Sequence, residues 1–289
     1  MSDRFPPPTG LTPSTLAPTD STGTRARDPQ WQAQIDGLSA HLQQAQRIVV
    51  FTGAGISTES GIPDFRGPAG VWKTMTPIDF GDFVRSETVR RESWRRKFSG
   101  PDLMATATPN TGHIGVAKLA QLGKLHCVIT QNVDGLHQRA GVDDDQVIEV
   151  HGNANYATCL DCHQRYELAP IKQAFMQNDQ LPYCEVCGGM IKTATISFGQ
   201  AMPELEMQRA HQAVLNCDLL LAMGSSMSVY PAASLPRVAS QQGARLILIN
   251  NEATDLDDLC DLVIHRPIGE SLSAALAQMP QSSTPNDSA

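Results

Sequence analysis

Short β-branched runs alternate with helical stretches along most of this chain, and that alternation restricts it to one class of fold. Apolar runs at 47–52, 125–130, 147–150, 195–198, 218–223, 245–249 and 262–265 are bounded by glycine or polar residues and read as buried strands. Helical spacing falls between them at 111–122, 203–215, 231–241 and 268–277, while Trp31, Ile35, Leu38 and Leu42 mark one more helix ahead of the first strand. Parallel neighbours need crossovers, so the pattern predicts an α/β fold built on a doubly wound parallel sheet. Sites in such a sheet lie beyond the carboxyl ends of its strands.

The polar motifs fall at those ends. The first run breaks into Gly53-Ala54-Gly55-Ile56-Ser57-Thr58, and a strand that passes through Gly-x-Gly into a helix lets backbone N–H groups approach a pyrophosphate. Two glycines after a strand also occur in tight βα turns, and Thr58 stands where the usual dinucleotide fingerprint has its third glycine. Pro63-Asp64-Phe65-Arg66 then sets an acid, an aromatic ring and a guanidinium in a stiff loop, with Gly61 and Gly67 as flanking hinges. Later strands end in Gln131-Asn132-Val133-Asp134-Gly135-Leu136-His137 and in His151-Gly152. A histidine after a strand is often a core or cap residue, yet its imidazole can also take a proton near neutral pH.

Two cysteine pairs interrupt the alternation. Cys159-x2-Cys162 and Cys184-x2-Cys187 stand 21 residues apart, the spacing of a four-thiolate zinc ribbon, and Gly188-Gly189 permits a tight knuckle. Four thiolates leave no open position for water, so the metal is expected to be structural. A thioredoxin-like redox pair and a nucleic-acid ribbon are the alternatives. The net charge of −8 argues against a surface that holds nucleic acid by phosphate neutralisation. No apolar run reaches the ~18–20 residues that would span a bilayer, no secretory signal is evident, and the expected location is the cytoplasm. Cys127, Cys217 and Cys260 sit in or beside apolar runs and read as small buried hydrophobes. The basic run at 90–98 reads as a solvated helix face or an anionic-partner patch.

Taken in order, these motifs, with Phe198-Gly199, Gly224-Ser225-Ser226 and Ile249-Asn250, resemble the sirtuins, NAD-dependent protein deacylases, from about residue 31 to 277. The resemblance implies a Rossmann-like NAD-binding domain in three parts, 29–66, 108–152 and 195–279. It also implies a smaller domain made of a helical insertion at 67–107 and the zinc ribbon at 153–194, with disordered tails at 1–28 and 280–289. It implies one structural zinc ion, NAD as co-substrate, acyl-lysine peptides as partners, no nucleic acid or membrane, and a monomer. His151 would be the general base on a ribose hydroxyl, with Asn132 and Asp134 ordering the nicotinamide carboxamide, ribose and water. Gly53, Ala54, Gly55 and Ile56 would hold the pyrophosphate, Asp64, Phe65 and Arg66 would form the closing loop, and Thr58 would also bind the cofactor. Gln131 and Val133 would touch the cofactor beside Asn132. Gly224, Ser225, Ser226, Asn250, Asn251 and Glu252 would meet the adenosine, and Ile268 the adenine. Phe198, Gly199 and Val229 would meet the peptide. Gln200 replaces the family's frequent Glu, and residues 90–98 and 224–230 are similar to the class II, lipoamidase and ADP-ribosyltransferase branch. Protein ADP-ribosylation, or a noncatalytic NAD-binding module, is the alternative function.

Overall fold

The computed structural model describes residues 28–65, 67, 70–73, 75–99 and 103–280. Of the tails expected at 1–28 and 280–289, residues 1–27 and 281–289 lie outside the described residues, as does Arg66. Asp28 belongs to the folded part, since its carboxylate caps the first helix by accepting from the Gln30 N–H.

In chain order the elements begin with α1 (Pro29–Gln44), β1 (Ile48–Thr52), α2 (Phe80–Arg85), α3 (Glu87–Phe98), α4 (Leu103–Thr106) and α5 (Thr111–Gln121). They continue with β2 (Leu125–Thr130), α6 (Leu136–Arg139), β3 (Val147–Glu149), β4 (Gly152–Cys159), β5 (Arg165–Glu167), α7 (Leu168–Asn178) and β6 (Ile191–Thr195). The last are α8 (Glu204–Leu215), β7 (Leu219–Met223), α9 (Leu235–Gln241), β8 (Arg245–Ile249), β9 (Leu262–Ile264) and α10 (Ile268–Ala277). Among the described residues no helix is long and apolar enough to cross a membrane.

Six strands form one sheet in the order β3-β2-β1-β7-β8-β9, and every neighbouring pair is parallel. The order reverses between β1 and β7, so the first glycine loop and the loop after β7 leave the sheet side by side. Every residue of β1 and β7 is buried, as continuous apolar runs in a sheet covered on both faces require. Ile35, Leu38 and Leu42 of α1 pack with α5 and α10 on one face, and α8 and α9 cover the other.

A second, antiparallel sheet has the order β5-β4-β6. It overturns one reading of the sequence. The run at 195–198 is not a strand of the large sheet: the strand is Ile191–Thr195, in the small sheet against β4, and 196–200 is loop. Residues 153–194, which hold the cysteine pairs, also hold most of β4 together with β5 and α7; β4 does not alternate strictly in burial and β5 has only three residues, so neither leaves a clear period-2 signal. The helix expected from 231 instead starts at Leu235, behind a 3-10 turn at Ala232–Ser234.

Trp94 and Phe98 of α3 stack at 5.3 Å and pack on Ala157, Ile171, Phe175, Leu181 and Ile191, together with buried Cys159 and Cys184. Arg91 donates to the carboxylate and carbonyl of Asp179 at the end of α7, and to Glu87. The basic run at 90–98 is thus largely committed to packing and local pairing. One glycine is needed where β4 begins: Gly152 has φ +74°, and a Cβ there would lie 1.9 Å from the Ala194 carbonyl oxygen.

Candidate active site

A cavity of about 720 Å³ opens where the strand order reverses, at the carboxyl ends of β1, β2 and β7. The sequence-predicted residues converge on it. Gly53, Ala54, Gly55, Thr58, Asp64, Phe65, Gln131, Asn132, Val133 and His151 line it. So do Gly224, Ser225, Ser226, Asn250, Asn251, Glu252 and Ile268, and on the expected peptide side Phe198, Gly199 and Val229.

The glycines have a second reason besides room for a ligand. The Gly53 N–H donates to the Met223 carbonyl (3.2 Å) and the Gly55 N–H to the Gly224 carbonyl (2.7 Å). A Cβ on Gly55 would fall 2.7 Å from Gly224 Cα, and one on Gly224, at φ +64°, would fall 2.3 Å from the Ile56 nitrogen. The two loops therefore touch backbone to backbone, and those two N–H groups are engaged within the fold. Ile56 does not line the cavity: its side chain is buried in the core and its N–H donates to the Gly53 carbonyl (3.2 Å). It supports the loop from beneath.

Asp134 also sits one layer back. Its buried carboxylate accepts from Ser57 Oγ (2.7 Å) and from the Leu136 N–H (2.9 Å) and is absent from the cavity wall. Asn132 does reach the cavity, and its amide donates to Ser57 Oγ (3.0 Å) and the Gly53 carbonyl (3.1 Å). Ser57 thus joins Asn132 to Asp134. The sequence reading missed it, along with His113, whose Nε2 stands 3.5 Å from Ser57 Oγ and whose Nδ1 accepts from the Asn110 N–H (3.4 Å). The available signal was a polar cluster, Asn110 and His113, opening an otherwise apolar helix. His137 bonds Thr52 Oγ1 through Nε2 (3.0 Å), and Thr52 Oγ1 donates to Thr130 (2.9 Å).

Burial pushes His137 down to about 3, helped by the charge of His113. Burial likewise pushes His113 down to about 4, against the opposing pull of the Asp134 carboxylate. Both are held neutral, so between those values and the ordinary 6.5 the unfolded chain binds protons that the fold refuses. Stability is complete above about pH 6.5 and falls below it, by up to about 1.4 kcal/mol per pH unit for each histidine. The melting temperature is expected to drop from pH 7.5 to pH 5, and a flat profile over that range would contradict the neutral assignment.

His151 is oriented from its backbone side. Its Nδ1 lies 3.0 Å from the Gln131 carbonyl oxygen; a carbonyl only accepts, so Nδ1 carries the hydrogen and Nε2 is the basic nitrogen. The His151 carbonyl accepts from the Ile196 N–H (2.8 Å), and Gln131 in turn donates to Ser225 Oγ (2.8 Å). On the peptide side the Phe80 N–H donates to the Phe198 carbonyl (2.8 Å), which fastens the 196–200 loop to the start of α2. Arg96 reaches the same wall and donates to the Thr76 carbonyl (2.8 Å) and Glu92 (2.7 Å).

Cys159, Cys162, Cys184 and Cys187 bring their sulfurs within 4.8 Å of one another, with two pairs at 3.5 Å. Tetrahedral zinc with bonds near 2.3 Å sets sulfurs about 3.8 Å apart, so the four could hold one zinc ion. Gly188 takes φ +75°, and a Cβ on Gly189 would lie 2.8 Å from Cys159 Sγ, which accounts for the glycine pair in the knuckle.

Doubly wound sheets take nucleotide-containing ligands at the point where the strand order reverses, and the cavity here defines the chain as an α/β protein of that class. The Sir2 family profile matches residues 53–231, and the chain belongs to the Sir2 family. It is 52% identical over 238 residues to NAD-dependent protein deacetylase 1 of Bradyrhizobium diazoefficiens, covering 82% of this chain and 93% of that protein. It is 46% identical over 244 residues to an NAD-dependent protein deacetylase of Rhodopseudomonas palustris, covering 84% and 96%. A solved Sir2–p53 peptide–NAD+ complex superposes with TM-score 0.75 at 33% identity, covering 84% of this chain and 98% of that one.

Proposed function

We propose that this chain is an NAD-dependent protein-lysine deacylase that transfers the acyl group to ADP-ribose and releases nicotinamide. The observation that carries the reading is the fixed tautomer of His151, a general base presented to a cavity at the strand-order reversal beside the Asn132–Ser57–Asp134 network. NAD, when bound, supplies a ribose–nicotinamide bond whose cleavage builds positive charge at the sugar. Breaking that bond asks the protein to hold the sugar and stabilise the charge rather than to supply a strong acid. Asp134 suits this: its carboxylate is buried and its hydrogen-bond partners, Ser57 and the Leu136 N–H, are neutral donors. Asn132 is held by the same network and offers an amide to the cavity. Gln131 links the histidine wall to the Ser225 loop, which keeps the base and the adenosine side in one register.

The acyl group we assign is acetyl, in keeping with the relatives named deacetylases. The likeness of residues 90–98 to the class II branch carries less weight, because Trp94 and Phe98 are core residues there, Arg90 donates to the Phe83 and Val84 carbonyls, and Arg96 supports the Thr76 wall. Labelled NAD tests the reaction type. With an acetyl-lysine peptide the adenylate label should appear in soluble acetyl-ADP-ribose; stable label on protein would favour ADP-ribosyl transfer instead.

A further inference from the structure

Asn250, Asn251 and Glu252 follow β8 and line the cavity, yet they belong to an exposed loop whose conformation must be held by something outside the wall itself. The Asn250 side chain folds back onto the Glu252 carbonyl (2.6 Å). The Asn250 carbonyl points to His265 just past β9, where Nδ1 stands 2.9 Å away. The other ring nitrogen, Nε2, lies 2.9 Å from Asp257 Oδ2. Asp257 Oδ1 in turn accepts from the N–H (2.9 Å) and the hydroxyl (2.8 Å) of Thr254. Asp257 thus closes the far end of the loop while His265 reaches across to its beginning.

We propose that His265 and Asp257 are positioning residues for dinucleotide affinity: the bridge from the Asp257 carboxylate through the imidazole to the Asn250 carbonyl sets the wall formed by Asn250 to Glu252. The inference rests on reading the cavity as a dinucleotide site. Both ring nitrogens face acceptors, the Asn250 carbonyl at Nδ1 and the Asp257 carboxylate at Nε2, so the ring is anchored at each end. The bridge touches neither His151 nor the Asn132–Ser57–Asp134 network, so its removal should weaken binding without slowing the chemical step.

The test uses the full chain with zinc bound, calorimetric titration with ADP-ribose, and turnover of an acetyl-lysine peptide at saturating NAD. His265→Ala and Asp257→Ala should each weaken ADP-ribose by about tenfold, the loss of one charge-assisted hydrogen bond, with kcat within about twofold of the parent. Asp257→Asn is the conservative rescue. Its oxygen still accepts from Thr254 and its amide can donate to a neutral ring at Nε2, which leaves the Nδ1 hydrogen on the Asn250 carbonyl, so affinity should stay near that of the parent. Unchanged ADP-ribose affinity in His265→Ala, an Asp257→Asn variant as weak as Asp257→Ala, or a kcat that falls together with affinity would overturn the proposal. A parent protein that does not bind ADP-ribose at all would overturn the dinucleotide reading, and this inference with it.

Discussion

His151→Ala is expected to lower peptide-dependent nicotinamide release and acyl transfer about 10³-fold, within the range a positioned general base contributes. The side chain is half-buried, and its ring bonds the Gln131 carbonyl. Loss of one such bond is worth about 1 kcal/mol, so the melting temperature should move by only about 2–4 °C. Circular dichroism and a steady-state assay on the same preparation separate the two effects. A variant that keeps its turnover, or one that loses activity by unfolding, would contradict the assignment of chemistry to this ring.

Removing the metal should act in the opposite way, on stability first. The four sulfurs close one end of the cluster that contains Trp94, Phe98, Ile171, Phe175 and Ile191. Without an ion, the buried sulfurs of Cys159 and Cys184 lose the partner that ties β4 to the knuckle, and the core around them loses its closure. Structural zinc is worth several kcal/mol of folding free energy even after large discounts from peptide values. Cys184→Ser, or exhaustive chelation, is therefore expected to lower the melting temperature by about 10 °C or more. Because α3 packs in that cluster and its Arg96 holds the Thr76 carbonyl at the cavity wall, activity should fall with the fold. Metal analysis should find one zinc per chain. A preparation without zinc that melts at the same temperature would remove the structural assignment.

Much of this fold is legible in the sequence. The runs at 125–130 and 245–249 and the helix at 268–277 are strands β2 and β8 and helix α10 at the expected bounds, because buried parallel strands carry continuous apolar runs between polar breaks. The cysteine spacing carries the metal module because ligand geometry is local. What the sequence hid is what depends on distant partners. The run at 195–198 looks like a strand of the large sheet, yet β6 ends at Thr195, and the next residue's N–H binds the His151 carbonyl. The glycines at 53, 55 and 224 suggest a ligand cradle by themselves; that they also seat two loops against each other follows only once β1 and β7 are known to be neighbours. Asp134 stands in a motif with Asn132, yet only the asparagine of the two reaches the cavity, because Asp134 turns to Ser57 and the Leu136 N–H. Ser57 and His113 come together from segments 56 residues apart, a pairing that no local pattern encodes.

The most direct measurement of the central claim is the stoichiometry of products when the purified chain meets NAD and an acetyl-lysine peptide. Deacylation coupled to NAD cleavage predicts equal amounts of nicotinamide, deacetylated peptide and acetyl-ADP-ribose, all dependent on the peptide and all lost in His151→Ala. Nicotinamide released without deacetylated peptide, or deacetylated peptide formed without NAD, would contradict it.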